Sequence, residues 1–317
     1  MNIEFFGTGA GLPAKHRNVT GIALNLVAEI NEVWLFDVGE GTQRQLLHSQ
    51  IRPRKISKIF ITHLHGDHIF GLPGLLSSRS FQNGDDKPED MDIYAPKGVE
   101  EFVRMSLKIS RTRLNYHIRY HEINDGEMIL NQNGFQVTAT LLQHGIDSYG
   151  FRVVEESHEG ELLIEKLKPY NIPTGPLLGK LKRGERVQLE DGRILDGKDF
   201  VGERKPGRVV TILGDTKFTE KSIQAAVGAD VLVHEATYEA GQEKMAAAHF
   251  HSTTGQAAKI AKLAGAKKLL LTHLSARYMI HDHSELQKQA AKTFSNTRIV
   301  KDFDVIEIPL KKGDNVE

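Results

Sequence analysis

The sequence predicts a layered α/β protein whose two halves feed a single site. Short apolar runs alternate with helix-type stretches along its 317 residues. Four of those runs end on a metal-binding type of side chain: His63, His144, Asp215 and His273. The densest group of such side chains, His63-Leu64-His65-Gly66-Asp67-His68, directly follows one of the runs. Sites in layered α/β proteins gather at strand ends, so this spacing points to one site built from distant segments.

Taken in order, Ile3 to Phe6 reads as a strand that ends in Gly7-Thr8-Gly9-Ala10-Gly11. Ile22 to Ala28 and Val33 to Asp37 read as a paired hairpin, and Gly41 to Ser49 as a helix. Lys58 to Thr62 is a buried strand, Glu100 to Ser110 a helix, and Phe135 to Leu142 an alternating, half-buried strand. In the second half, Arg208 to Leu213, Asp230 to His234, Lys268 to Thr272 and Asp304 to Ile308 read as strands. Thr253 to Leu263 and Ser284 to Thr293 read as helices, and each opens on a Ser/Thr-x-x-Gln pattern that fits a capping box. Lys166 to Arg186 breaks the pattern. It carries Pro169, Pro173, Gly175, Pro176, Gly179 and Gly184, with six basic residues and one acidic one, and reads as a protruding arm.

Composition narrows the chemistry. The chain is 39% hydrophobic and 26% charged, as is ordinary for a globular protein. It has no cysteine, so disulfides and thiolate metal sites are excluded and any metal must sit on nitrogen and oxygen ligands. The formal net charge of zero counts against a general nucleic-acid coat protein but not against a local basic patch. No apolar run approaches the roughly 20 residues that span a bilayer. Met1-Asn2-Ile3-Glu4 lacks the basic and apolar stretches of a secretory signal, so the expected location is cytoplasmic, with no membrane partner.

His-x-His-x-Asp-His packs four ligand-type side chains into six residues. A histidine-rich surface turn is the plain alternative. The three further ligand types at later strand ends weigh against it. Imidazole suits zinc, and a carboxylate can complete or bridge a site. Two ions about 3.5–4 Å apart form a clamp suited to phosphoryl displacement. The chain offers seven ligands for such a clamp: His63, His65, Asp67, His68, His144, Asp215 and His273.

The Thr62 to His68 segment resembles the signature of the metallo-β-lactamase superfamily. The resemblance, which runs over nearly the whole chain, implies an αββα sandwich of two mixed β-sheets flanked by helices. It implies one domain over residues 1–317, with an inserted substrate-binding arm at about 160–200. It assigns His63, His65 and His144 to a first ion, Asp67, His68 and His273 to a second, and Asp215 to a bridge. The expected cofactors are two Zn2+ per subunit, with Mn2+ as an alternative. Asp67 is also the expected general base for an activated water. Asp37 either orients a ligand histidine or simply bonds loop amides.

The fold does not choose the substrate. Four features resemble the ribonuclease Z family within that superfamily. Pro13-Ala14-Lys15-His16-Arg17-Asn18 resembles its loop beside the scissile bond, with Lys15, Arg17 and Asn18 on substrate phosphates. His234-Glu235-Ala236-Thr237 and His251-Ser252-Thr253 resemble two of its motifs. They imply that His251 protonates the leaving 3′ oxygen, Glu235 orients it, and Ser252 and Thr253 bind substrate at a helix N-terminus. The arm, with Lys180, Lys182 and Arg183, resembles the arm that takes the tRNA elbow, where shape and phosphate are read. Arg277, in Ser275-Ala276-Arg277-Tyr278, is a further candidate contact. His234 reads more simply as a core histidine, and Ser252 and Thr253 as helix caps. The expected activity is endonucleolytic removal of the 3′ trailer from precursor tRNA, leaving a 3′-hydroxyl on the tRNA and a 5′-phosphate on the trailer. The expected assembly is a homodimer. The alternatives are a small-molecule hydrolase of the same fold (arylsulfatase, thioesterase or phosphodiesterase) and a non-catalytic RNA-binding module.

Overall fold

The structure is a computed structural model and describes residues 1–81 and 89–310. Its strands in chain order are β1 (Asn2–Gly7), β2 (Gly9–Ala10), β3 (Gly21–Leu26), β4 (Glu32–Val38), β5 (Ile56–Phe60), β6 (Met91–Ala95), β7 (Ile118–Glu122), β8 (Met128–Gln132), β9 (Phe135–Leu141) and β10 (Tyr149–Glu155). They continue with β11 (Arg186–Gln188), β12 (Ile194–Asp196), β13 (Val209–Leu213), β14 (Val231–Glu235), β15 (Leu269–Thr272), β16 (Leu274–Ser275), β17 (Thr297–Ile299) and β18 (Val305–Glu307).

Residues 1–154 and 209–308 form one compact unit. It contains two seven-stranded sheets, ordered β18-β1-β3-β4-β5-β6-β7 and β17-β15-β14-β13-β10-β9-β8. Both are mixed: β1, β3 and β4 run antiparallel, while β4 to β7 are parallel neighbours. In the second sheet β10 is antiparallel to β13, and β13, β14, β15 and β17 are parallel.

Period-two alternation sends one set of side chains from each strand into the space between the sheets. Trp34, Phe36 and Phe60 from the first sheet meet Phe135 and Phe151 from the second, with ring centroids 5.6 Å apart for Trp34–Phe135 and 5.4 Å for Phe60–Phe151. Burying each such ring stabilises the fold by about 1.5–3 kcal/mol. The outer face of the first sheet packs Leu35, Ile59 and Ile93 on Leu72, Leu76, Val99 and Val103 of helices Leu72–Phe81 and Val99–Ile109. The outer face of the second packs Leu232, Leu269 and Leu271 on helices Thr254–Leu263 and His283–Ala291. This is the expected αββα sandwich.

Some local readings change. The β3–β4 hairpin forms, but Val27–Ile30 is a helical turn closed by Asn31 at φ 62°, so the strand stops at Leu26. The Gly41 to Ser49 helix is one α-helical turn, Thr42–Gln45, followed by a 3-10 turn, Leu46–His48. Thr253 forms its capping box with Gln256. Ser284 does not cap its helix, because the chain enters His283–Ala291 straight from the 3-10 turn Ile280–Asp282. Gln287 instead accepts the Ile299 N–H at 3.0 Å.

Residues 155–208 form a compact unit of their own. It holds the β11–β12 hairpin, helices Ile164–Leu167 and Pro176–Lys182, and an apolar cluster of Leu167, Leu181, Val187, Leu195 and Phe200. Lys180, Lys182 and Arg183 are exposed around the buried Leu181. At the ends of this unit Arg208 clasps Glu155. Its Nε donates at 2.7 Å and its Nη2 at 2.6 Å, and both side chains are buried.

Candidate metal centre and active site

The ligand side chains converge because four chain segments end at the same edge of the sandwich. β5 ends at Phe60 and delivers Thr62 to His68, β9 delivers His144, β13 delivers Asp215, and β15 delivers His273. His63 Nε2 lies 3.1 Å from His65 Nδ1, and His144 Nε2 lies 3.2 Å from the same atom. Asp215 Oδ2 lies 3.7 Å from His63 Nε2, 3.6 Å from His68 Nε2 and 3.3 Å from His273 Nε2. Asp67 Oδ2 lies 3.5 Å from His68 Nε2 and 3.3 Å from His273 Nε2. Three of the resulting groups are His63-His65-His144, Asp67-His68-His273 and His63-His68-Asp215. The seven ligands expected from the sequence therefore come together, with Asp215 between the two sets of histidines.

The other side of four of the five rings is engaged. His68 Nδ1 faces Asp37 Oδ2 at 2.7 Å, and Asp37 also accepts the Thr62 N–H at 2.7 Å and the Thr62 hydroxyl at 2.8 Å. His63 Nδ1 lies 2.9 Å from Thr62 Oγ1, His144 Nδ1 2.8 Å from the Phe250 carbonyl, and His273 Nδ1 3.0 Å from Thr237 Oγ1. Each of these contacts puts an acceptor on Nδ1 and turns Nε2 inward, where its lone pair is available to a metal ion. Lone pairs about 3 Å apart repel unless a cation lies between them, and the buried His68 Nε2 has no hydrogen-bond partner. The donor set of imidazole nitrogen and carboxylate oxygen therefore fits divalent metal ions. Backbone strain supports the same centre. Asp37 and His273 sit at φ 59° and 55°, in the sparsely populated left-handed region.

Charge follows from this packing. Burial raises the Asp215 carboxyl, but His273, His68 and His63 around it hold it well below the usual carboxylate range. Burial and the neighbouring His68 push His63 well down. Burial lowers His68, yet Asp37 and Asp215 hold it well above the usual histidine range. Asp67, raised by burial, is pulled well below its usual range by His273 and His68, and its Oδ2 also accepts the Gly11 N–H at 2.8 Å.

His251 stands beside this group. Its Nδ1 is 2.9 Å from Glu235 Oε1 and 3.9 Å from Asp215 Oδ2. Burial lowers His251, but Glu235 more than compensates and pushes it up to about 9. Burial raises Glu235, while His251 brings it below its ordinary value. The Glu235 carboxylate also accepts N–H groups from Ser252 at 3.0 Å and Thr237 at 2.9 Å. Gly11, His65, Asp67, Asp215, His251 and His273 line a common cleft of about 210 Å³.

Several expected substrate contacts are committed elsewhere. Arg17 is buried, not on the surface loop. Its guanidinium donates to the Val300 carbonyl at 3.0 Å and to His283 Nε2 at 2.9 Å, and it also reaches Thr8 Oγ1. Asn18 donates its side-chain amide to the Glu40 carbonyl at 2.8 Å and its N–H to Asp302 at 2.6 Å. Ser252 donates to the Thr216 carbonyl at 2.7 Å, and Thr253 caps its helix, so both are buried structural residues. The amides of Ser252, Thr253, Thr254 and Gln256 all have partners within the fold, which leaves none of these four for an anion. His234 is buried in β14 with Nδ1 on the Glu235 carbonyl at 2.7 Å, as the simpler reading has it. Lys15 and Arg277 are exposed.

The Arg17 contact carries a pH prediction. Burial, then the charge of Arg17, lowers His283 to about 4. A histidine depressed below its unfolded value of about 6.5 contributes stability that is full above pH 6.5 and is lost as pH falls towards 4. The melting temperature is therefore expected to drop between pH 7 and pH 4.5. The slope should be shallower in His283→Asn, with the remainder coming from other depressed histidines such as His63. A slope in the variant identical to that of wild type would refute the assignment.

Thr62 and Thr237 hold site side chains by hydrogen bonds, and the sequence did not single them out. The available signal was a hydroxyl residue beside a ligand histidine and beside Glu235 in the chain, which is weak without the fold.

Comparison with known proteins agrees with this geometry. A family model described as "Anti-Pycsar protein Apyc1" matches residues 1–159, and one described as "Beta-lactamase superfamily domain" matches residues 200–274. Ribonuclease Z of Enterococcus faecalis is 58% identical over 310 residues, covering 98% of each chain. Ribonuclease Z of Lactiplantibacillus plantarum is 54% identical, covering 99% of this chain and 100% of the other. The crystal structure of human tRNase Z, short form, superposes with a TM-score of 0.71 at 32% identity, covering 98% of this chain and 100% of that one. The chain thus has the metallo-β-lactamase fold and belongs to the ribonuclease Z family.

Proposed function

We propose that the chain is an endoribonuclease that removes the 3′ trailer from precursor tRNA, with two Zn2+ ions per subunit. The observation that carries this reading is His251, paired with Glu235 at 2.9 Å and facing the same cleft as Asp67, Asp215 and His273. His63, His65 and His144 would hold one ion, Asp67, His68 and His273 the other, and Asp215 both. When bound, the ions supply Lewis-acid charge to the phosphoryl oxygens and lower the pKa of a water. The chain's own groups handle the protons. In this reading Asp67, which lines the cleft beside His273, accepts one from the attacking water. His251 gives one to the leaving 3′ oxygen, and Glu235 offsets the charge that His251 carries. The products are a 3′-hydroxyl on the tRNA and a 5′-phosphate on the trailer. Lys15, Arg277 and the basic face of the arm, with Lys180, Lys182 and Arg183, bind backbone phosphates. The precursor substrate sets the cytoplasm as the place of action, and no described helix is long and apolar enough to cross a membrane.

A homodimer accompanies this reading. Leu47 and Phe70, 72% and 62% exposed, line a surface depression of about 460 Å³ that we offer as the face a second copy covers. Light scattering on the purified protein decides the assembly.

The function is tested by incubating purified protein of measured metal content with precursor tRNA and mapping both product ends. Chelator-sensitive cleavage beside the discriminator base, with a 3′-hydroxyl on the tRNA, is expected. Turnover of bis(p-nitrophenyl) phosphate without cleavage of the precursor would favour the small-molecule hydrolase instead.

A further inference from the structure

We propose that Phe250 is a stacking platform for an unpaired base flanking the scissile phosphate, with Lys217 beside it to meet the backbone charge. The proposal rests on the tRNA-processing reading and adds a specificity residue to it.

Phe250 has three features that core packing does not explain. Its backbone sits at φ 60°, a conformation rare and costly for a bulky residue and commonly kept only where a site needs it. Its peptide joins two site histidines: its carbonyl accepts His144 Nδ1 at 2.8 Å, and the next residue is His251. Its ring is 40% exposed, although an aromatic side chain gains most by burial.

The surroundings of the ring select the occupant. Lys217 Nζ lies 4.8 Å from the ring centroid, so one face carries a cation. Lys217 makes no ion pair among the described residues. It follows Asp215 and Thr216 in the chain and is held there by its N–H on the Gln143 carbonyl at 2.9 Å. Gly145, next to His144, leaves the ring edge uncrowded: even a Cβ there would stand 3.9 Å from Cδ2. An aromatic face and an ammonium group side by side suit a nucleotide, whose base stacks on a ring and whose phosphate is anionic. A substrate without a base would gain nothing from the ring. The 3′ end of a precursor tRNA offers unpaired bases on both sides of the bond to be cut.

The experiment compares three RNAs: a complete precursor, and two copies with an abasic nucleotide immediately 5′ or 3′ of the scissile phosphate. Wild type, Phe250→Leu and Phe250→Trp are assayed on each, with melting temperature and metal content recorded. Phe250→Leu is expected to lower kcat/KM on the complete precursor by about 5- to 150-fold, the range of one stacked base. Phe250→Trp should keep most of the wild-type value. One of the two abasic RNAs should cost wild type the same factor and show no further loss with Phe250→Leu, which also identifies the stacked base. Equal loss from Phe250→Leu on all three RNAs would mean that the residue acts by holding His144, and would overturn the proposal. So would the absence of any loss. Failure of wild type to cut the complete precursor would instead sink the tRNA reading itself.

Discussion

Asp215→Ala is expected to slow precursor cleavage by at least about a thousandfold and to reduce the metal content of the purified protein. The Asp215 Oδ2 atom is within 3.7 Å of one histidine of the first proposed ligand set and two of the second. Metal charge at a transferring phosphoryl group stabilises the transition state by several kcal/mol, and each 1.36 kcal/mol is a factor of ten. The side chain is buried, so its removal also leaves His63, His68 and His273 without the anion they converge on. Asp215→Asn keeps the volume and loses the charge, and should lose activity nearly as far. Binding of precursor tRNA, measured by filter retention, should survive both changes, because the proposed phosphate contacts lie elsewhere. Full activity with full metal content in Asp215→Asn would show that the carboxylate bridges nothing.

The second large effect is expected on the arm. Deleting Lys166 to Arg186 is a poor test, because it would remove Leu167 and Leu181 from the unit's own apolar cluster. The triple change Lys180→Ala, Lys182→Ala and Arg183→Ala removes charge from exposed positions and leaves that cluster intact. Binding of precursor tRNA should weaken by more than tenfold at moderate salt. The slope of log affinity against log salt should shrink by about one for each lost phosphate contact. Turnover of bis(p-nitrophenyl) phosphate, which has no elbow to hold, should be unaffected by these surface changes. An unchanged salt slope would remove the arm from substrate binding.

The metal cluster was legible in the sequence because its spacing is local and its distant members each close an apolar run. His144, Asp215 and His273 could be assigned to one site without any structure, since parallel strands of a layered fold end on one edge. The loop contacts were not legible in the same way. Lys15 and Arg17 look alike in a polar loop, yet one is exposed and the other is buried. The partners that bury Arg17, Val300 and His283, lie more than 260 positions away in the chain. Thr62 and Thr237 act through tertiary neighbours, and a threonine beside a histidine is too common to signal that. Helix Leu72–Phe81 was missed because it opens on Leu72-Pro73-Gly74, residues that punctuate loops more often than helices. Pro is tolerated in a first helical turn, where its missing N–H has no partner to lose.

The Glu155–Arg208 clasp has a consequence for how such a chain changes over generations. It ties together two points 53 positions apart, and the next residues inward, Val154 and Val209, are already paired across β10 and β13. Whatever is threaded between those points adds little closure entropy to the rest, since doubling a loop costs only about 0.6 kcal/mol. Selection can therefore lengthen, recharge or exchange residues 155–208 while the strand ends that carry the histidine and aspartate cluster keep their composition. A grafting experiment would have its natural seams at these two residues.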